Sequence, residues 1–117
     1  MADYEMFDVC DMNGVTVVRL RARELDETKL HRLTQELDTV AEEPQRDRFV
    51  IDLEEVAFLT STGIGAIIAV QKKVRASGGT LKLCGLHPDI RSLFAITQVD
   101  RLFDIRTNAD EAVGSFS

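Results

Sequence analysis

Strand-length apolar runs alternate with helix-length amphipathic segments along nearly the whole chain of 117 residues. The first two runs are separated by Asn13-Gly14, a dipeptide that strongly favours a two-residue β-hairpin. Beyond the hairpin, compact runs such as 49–53 and 80–84 each precede a helical segment, which is typical of right-handed βαβ units. The pattern predicts one α/β domain with a mostly parallel sheet of four to five strands and an N-terminal hairpin.

Local signals place the element boundaries. Asp26 is the expected N-cap of the first helix, and Ser77-Gly78-Gly79 is the expected end of the second. Pro88 suits the first position of the third helix. The predicted set is strands at 7–12, 15–20, 49–53, 80–84 and 102–105, and helices at about 26–41, 64–75, 88–97 and 108–114.

Composition excludes several classes of function. A net charge of −6 with one Tyr and no Trp argues against direct nucleic-acid binding. Two cysteines, Cys10 and Cys84, are too few for a disulfide scaffold or a zinc site, and we expect both to be small buried side chains. The first residues are acidic, and no apolar stretch reaches about 18 residues, so we expect a soluble cytoplasmic domain without a membrane span.

Charge is distributed unevenly along the chain. Residues 1–55 carry 15 acids and 7 bases, a balance of −8, whereas residues 56–117 carry 5 acids and 7 bases, a balance of +2. No charged residue lies between Val56 and Gln71, and this stretch contains the hydroxyl run Thr60-Ser61-Thr62. The start of the second helix is therefore the candidate functional region.

Catalytic motifs are incomplete in this chain. His31 and His87 lack a Cys or carboxylate at metal-ligand spacing, which favours surface or capping roles. The run around Ser61 lacks the leading Gly of a nucleophile elbow, and Ile68 stands where a dinucleotide fingerprint needs its third Gly. We therefore expect no enzyme activity, no cofactor and no metal.

Two interpretations of the hydroxyl run remain open. Ser and Thr are ordinary helix N-caps, each contributing about 1 kcal/mol, but one cap needs only one of the three hydroxyl residues. The helix that follows is apolar nearly all round, so an outer face bearing Ile64, Ile67 and Ile68 would be a docking patch. We expect some of these three side chains to be partly exposed.

The motifs together resemble the bacterial anti-sigma factor antagonists, which belong to the STAS group (sulfate transporter and anti-sigma antagonist domains). The resemblance covers about residues 7–113, and its specificity comes from the order and spacing of the pieces. These are Phe49–Leu53, Val56–Ala66, Arg75–Leu83, Gly85, Pro88, Arg91 and Asp100–Phe103.

The resemblance implies a single domain with helices packed largely on one face of the sheet and no catalysis of its own. It implies Ser61 as the phosphoacceptor, ahead of Thr62 and Thr60, and an anti-sigma factor with serine-kinase activity as the partner. The unphosphorylated domain would bind that partner, a serine phosphatase would reset the cycle, and the domain would be a monomer or weak dimer. The partner-binding residues so implied are Asp52, Thr60, Thr62, Gly63, Ile64, Gly65, Ile67 and Ile68.

The chain departs from the family pattern at two positions and leaves two other functions open. Thr60 stands where the family usually has Asp before the acceptor serine, and Gln98 stands where it often has Gly. A Gln in a turn that needs positive φ would cost about 1 kcal/mol. The alternatives are a STAS-like subunit of a lipid- or anion-transport assembly, and a switch that binds a small anion or nucleotide at residues 61–65.

Overall fold

A computed structural model describes residues 4–25, 27–44 and 46–116, so the expected N-cap Asp26 lies outside the described residues. The predicted order of elements is confirmed. The strands are β1 (Phe7–Met12), β2 (Val15–Leu20), β3 (Arg48–Asp52), β4 (Thr80–Cys84) and β5 (Asp104–Arg106). The helices are α1 (Glu27–Ala41), α2 (Ser61–Ala76), α3 (Pro88–Ile96) and α4 (Ala109–Gly114), with a 3-10 turn at Val99–Leu102.

The five strands lie side by side in chain order, β1-β2-β3-β4-β5. β1 and β2 are antiparallel, joined by Asn13 and Gly14 at φ 53° and 80°, the left-handed pair that a type I′ turn requires. The remaining neighbours are parallel. The carboxyl ends of β3, β4 and β5 therefore meet at one edge of the sheet, and the chain leaves β3 from that edge to reach α2.

The two faces of the sheet are covered unequally. The larger core contains apolar side chains of α1, α2 and α3, and the smaller one joins Val15, Val17, Val50 and Cys84 to Ala112 and Val113 of α4. The expected packing of helices largely on one face is confirmed. The side chains expected to be buried are buried: Val50, Ile51, Leu53, Leu81, Leu83, Leu33 and Leu37.

Two boundaries differ from the sequence prediction by two or more residues. α2 begins at Ser61 rather than at 64, because Thr60 supplies the cap. The last strand begins at Asp104 rather than at 102, because the chain first makes the 3-10 turn. Gln98 enters that turn at φ 62°, the left-handed region in which a side chain is strained.

The two cysteines have different surroundings. Cys84 is buried, as expected, but Cys10 is exposed, so the expectation that both are buried is wrong. Cys10 lies on the edge strand β1, in which Phe7 is the one buried residue of the six. Among the described residues, no helix is both long and apolar enough to cross a membrane.

Candidate functional site

The loop between β3 and α2 begins at a buried carboxylate. Asp52 is only 2% exposed; one of its oxygens accepts the Glu54 backbone N–H at 2.9 Å, and the other accepts Arg19 Nε at 3.2 Å. Gly85, at φ 70°, approaches so closely that a Cβ there would lie 2.7 Å from Asp52 Oδ1. Asp52 thus fixes the direction in which the chain leaves β3, because its carboxylate accepts hydrogen bonds from the loop backbone at Glu54 and from Arg19 on β2.

The middle of the loop is held by the chain segment that follows β2. The backbone N–H groups of Ala57 and Phe58 both donate to the Arg23 carbonyl, at 2.8 and 3.1 Å, and Phe58 forms an isolated parallel bridge with Glu24. The Phe58 side chain nevertheless remains 58% exposed. The fold therefore presents an aromatic ring to solvent three residues before Ser61.

Thr60 is the N-cap of α2. Its backbone is extended (φ −87°, ψ 169°), and its Oγ1 accepts the Gly63 N–H at 3.2 Å. The Thr60 carbonyl accepts the Ile64 N–H at 3.0 Å. Position 60 thus performs a capping role that Asp also fills well, so Thr here preserves the helix start without placing a carboxylate beside Ser61.

Ser61 occupies the first position of α2 and is exposed. None of the described residues forms a hydrogen bond with its hydroxyl, so neither a histidine nor a carboxylate activates it. Thr62 is exposed beside it, and the first turn contains no acidic residue. The arrangement is an accessible hydroxyl at the positive end of a helix dipole, and any chemistry on it requires an external base.

Some of the three isoleucines at the start of α2 were expected to be partly exposed, and one is. Ile64 and Ile67 are 5% and 1% exposed, so neither contributes to a docking patch on the free domain. α2 packs against α1 and the sheet, and its apolar stripe therefore belongs to the core. Ile68 alone of the three is partly buried rather than enclosed.

Two further residues assigned to partner binding also face inward. Asp52 is enclosed, as described above, and Gly63 is buried, with Leu59 Cδ1 at 2.5 Å from where its Cβ would stand. Their roles in the free domain are to shape the loop and the helix start. Gly65, by contrast, is exposed, with nothing within 4 Å of a Cβ placed on it.

The outward face of the first half of α2 is consequently small and uncharged. It consists of Ser61, Thr62, Gly65 and Ala69, all exposed. Such a face allows another protein surface to approach the helix backbone closely, since no long side chain intervenes.

A cavity of about 380 Å³ opens at the same edge of the sheet. It is lined by Glu54, residues 85–88, Thr107 and Asn108, and no residue of 61–65 contributes to it. His87 Nε2 lies 2.6 Å from the Glu54 carbonyl, which makes that nitrogen the donor and joins two walls of the cavity. His31 and His87 are both exposed, as expected.

Cys84 is not a reactive thiol in this environment. Burial, together with the negative charge of Asp52, raises the pKa of Cys84 to about 12. The thiolate, which is the nucleophilic form, is therefore scarce at neutral pH.

Sequence reasoning missed Arg19 and Phe58 as parts of this site. Arg19 belongs to β2, whereas its partner Asp52 belongs to β3, so no local pattern connects the two. Phe58 is apolar and lies in an apolar run, so only the fold shows that its ring is exposed.

Comparisons with known proteins agree on one family. The STAS domain model matches residues 7–112. The anti-sigma F factor antagonist of Paenibacillus polymyxa is 26% identical over 100 residues, covering 86% of this chain and 85% of that protein.

Two solved structures show the same fold. An anti-sigma-factor antagonist (STAS) domain protein from Planctomyces limnophilus has a TM-score of 0.84 and 23% identity, over 93% of this chain and 96% of that one. The Bacillus cell fate determinant SpoIIAA in its phosphorylated form has a TM-score of 0.71 and 20% identity, over 95% and 99%. Since the family model spans nearly all of the domain described above, the chain belongs to the STAS domain family.

Proposed function

We propose that this protein is an anti-sigma factor antagonist in a partner-switching pathway. In its unphosphorylated form it binds an anti-sigma factor that is also a serine kinase, and phosphorylation of Ser61 releases it. The Paenibacillus relative is named an anti-sigma F factor antagonist, and a structure of the same fold has been solved in a phosphorylated form, which supports the proposal.

The observation that carries the proposal is the environment of Ser61. Its hydroxyl is exposed on the first turn of α2, between a formed cap at Thr60 and an uncharged outer face at Gly65 and Ala69. Thr62 is a second accessible hydroxyl, whereas the Thr60 hydroxyl is engaged with the Gly63 N–H. Ser61 is therefore the acceptor that a kinase reaches without dismantling the helix cap.

Phosphorylation at this position is expected to change binding more than folding. It adds about −1.5 to −2 charges at neutral pH. The helix N-terminus favours that charge by about 0.3–1 kcal/mol, so the domain stays folded. A partner packed on the same surface must desolvate the phosphate, and a loss of about 4 kcal/mol weakens affinity a thousandfold.

The expected partner surface combines Phe58, Ser61, Thr62, Gly65 and the exposed part of Ile68. Phe58 supplies an apolar anchor held in place by the backbone bonds to Arg23, and Gly65 permits close approach. Aromatic side chains of this kind often dominate the energetics of protein–protein interfaces.

The test is binding of two Ser61 variants to the purified anti-sigma factor kinase of the same organism. Ser61→Ala should bind constitutively in the presence of ATP, and Ser61→Asp should lose binding. Both should unfold at nearly the same temperature as the unmodified protein. Mass spectrometry of the protein from its own cells should place the phosphate on residue 61.

Thr62→Ala is the matched control, since it removes a neighbouring exposed hydroxyl and should leave binding and phosphorylation intact. Equal binding by Ser61→Ala and Ser61→Asp would contradict the proposal and favour the transport-assembly alternative, which needs no phosphorylation. Phosphate on Thr62 alone would move the switch to that residue.

A further inference from the structure

The second half of α2 has a surface of different character from the first. Lys72 and Arg75 are exposed on α2, and Arg101 is exposed in the 3-10 turn. Among the described residues, no carboxylate lies within ion-pair distance of these three cations, although four arginines of residues 4–55 form such pairs. Three unpaired cations thus lie in the acid-poor part of a chain whose net charge is −6.

Apolar side chains lie among these cations. Gln71 Nε2 donates to the Leu102 carbonyl, which brings the 3-10 turn against α2. Leu102 is 48% exposed, and Ile68, one turn before Gln71 on the same side of α2, is partly exposed. We call Ile68, Lys72, Arg75, Arg101 and Leu102 the α2 seam surface.

The α2 seam surface is continuous with the first turn of α2, which carries Ser61. Ser61, Ile68, Lys72 and Arg75 follow one another at spacings of seven, four and three residues, which places them along one side of the helix. A partner that covers Ser61 and extends along α2 therefore meets the seam surface next.

The charge of the protein indicates which kind of molecule binds the α2 seam surface. A nucleic acid is disfavoured because its phosphates meet a protein of net charge −6. A second copy, docking its acidic half on this seam, would form a head-to-tail contact that propagates rather than closes. An acidic protein partner is repelled by the rest of the domain and attracted here, so the seam also determines its orientation.

We propose that the α2 seam surface binds an acidic, apolar segment of the same partner that Ser61 controls. This inference rests on the proposed function. Arg75, Arg101 and Lys72 face carboxylates of the segment, and Ile68 with Leu102 contacts its apolar side chains. The cations accelerate association, and Ser61 decides whether the complex persists.

The experiment first identifies the partner and then measures its affinity. A photo-crosslinking phenylalanine analogue is placed at Phe58, where it keeps an aromatic ring, and, separately, at Leu102, both of which are exposed, in the protein's own cells. Both positions should capture the same anti-sigma factor. That partner is purified, and its Kd and association rate are measured at about 50 mM and about 300 mM salt, where charges are weakly and strongly screened.

Charge reversal is compared at matched arginines. Arg75→Glu and Arg101→Glu should each weaken binding about fivefold or more at low salt, mainly through slower association, and the difference should shrink at high salt. Arg32→Glu, on α1 beside Glu5, makes the same change on an exposed arginine away from α2 and should alter the Kd less than about twofold. Leu102→Ser should speed dissociation at both salt concentrations. Thermal unfolding verifies folding, and Arg75→Gln replaces Arg75→Glu if the latter unfolds.

The outcomes separate the two proposals. If Ser61→Asp releases the partner but Arg75→Glu and Arg101→Glu bind like Arg32→Glu, the seam inference alone is overturned. A Leu102 crosslink to a second copy, or to nothing while Phe58 captures the anti-sigma factor, also overturns it. So does binding to anionic lipid vesicles that Arg75→Glu abolishes, if the same variant leaves the Kd for the anti-sigma factor unchanged. If Ser61→Ala and Ser61→Asp bind equally, the proposed function fails, and the seam inference fails with it.

Discussion

The loop that precedes Ser61 is held at its two ends by polar residues in opposite environments. At the β3 end, Asp52 is 2% exposed and bonds a backbone N–H and an arginine. At the α2 end, Thr60 is exposed and makes one cap bond. The buried Asp52 therefore holds the conformation of the loop. The exposed Thr60 caps α2 and leaves the hydroxyl of Ser61 accessible.

A structural carboxylate, Asp52, and the proposed phosphorylation site, Ser61, are thus only nine residues apart in the sequence. A buried charged hydrogen bond is costly to lose, because the groups left behind have no water to replace it. An exposed cap is worth less and tolerates several residue types. Substitutions at the two ends should consequently differ in size and in what they affect.

The largest expected effect is at Gly85, which closes the buried end. Gly85→Ala places a Cβ 2.7 Å from Asp52 Oδ1, which displaces the carboxylate. It also puts a residue with a Cβ at φ 70°, in the left-handed region, at a cost of about 1–2 kcal/mol. Chemical denaturation should show a total loss of about 2–4 kcal/mol. Gly65→Ala is the control: it lies in open space within α2 and should gain about 0.5–1 kcal/mol. A stable Gly85→Ala protein would show that the Asp52 site is loosely packed.

Removal of the buried carboxylate comes next. Asp52→Ala leaves the Glu54 N–H without its acceptor and should cost about 1–3 kcal/mol. The cost stays moderate because the Arg19 side chain is 51% exposed and can return to water. Glu55→Ala, which removes an exposed carboxylate from the same loop, should change the free energy of unfolding by less than about 0.5 kcal/mol. Equal effects of the two substitutions would refute the distinction between the loop ends.

The exposed end should respond more weakly. Thr60→Ala removes the acceptor for the Gly63 N–H and should cost about 1 kcal/mol by thermal or chemical unfolding. Thr60→Asp restores the residue usual in the family and should be at least as stable as the natural protein, since Asp is also a good N-cap. A Thr60→Asp protein as unstable as Thr60→Ala would mean that the cap geometry does not hold in solution.

The smallest effect is expected away from the loop, at Gln98. This residue adopts φ 62°, and Gln98→Gly should relieve the strain and raise the free energy of unfolding by up to about 1 kcal/mol. Gln98→Ala keeps a Cβ and should leave stability nearly unchanged, which makes it the matched control. An equal gain from both substitutions would assign the effect to the side chain instead of the backbone.

The sequence was sufficient for most of the fold because local signals were strong. Asn13-Gly14 determined the hairpin, and Pro88 marked the start of α3. Leucines at helical spacing defined α1, whose observed bounds are Glu27–Ala41. The start of α2 was placed three residues late, because Thr60-Ser61-Thr62 offers three equivalent caps and only the observed backbone distinguishes them.

The residues of the predicted site do not share one environment. Ser61, Thr62 and Gly65 are exposed, and the roles predicted for them in phosphorylation and partner binding stay predictions. Ile64 and Ile67 lie in the core, because this side of α2 packs against α1 and the sheet. Phe58 supplies the exposed apolar group in their place.

The sequence by itself determined the element types and the position of the hydroxyl run, since both depend on neighbouring residues and on periodicities of two and 3.6. The tertiary structure alone decided which apolar side chains of α2 face solvent, which carboxylate is buried, and which cations lack a partner. Arg19 and Asp52 are 33 residues apart, and Gln71 and Leu102 are 31 apart. Contacts over such separations arise from the packing of strands and helices, and no local pattern encodes them.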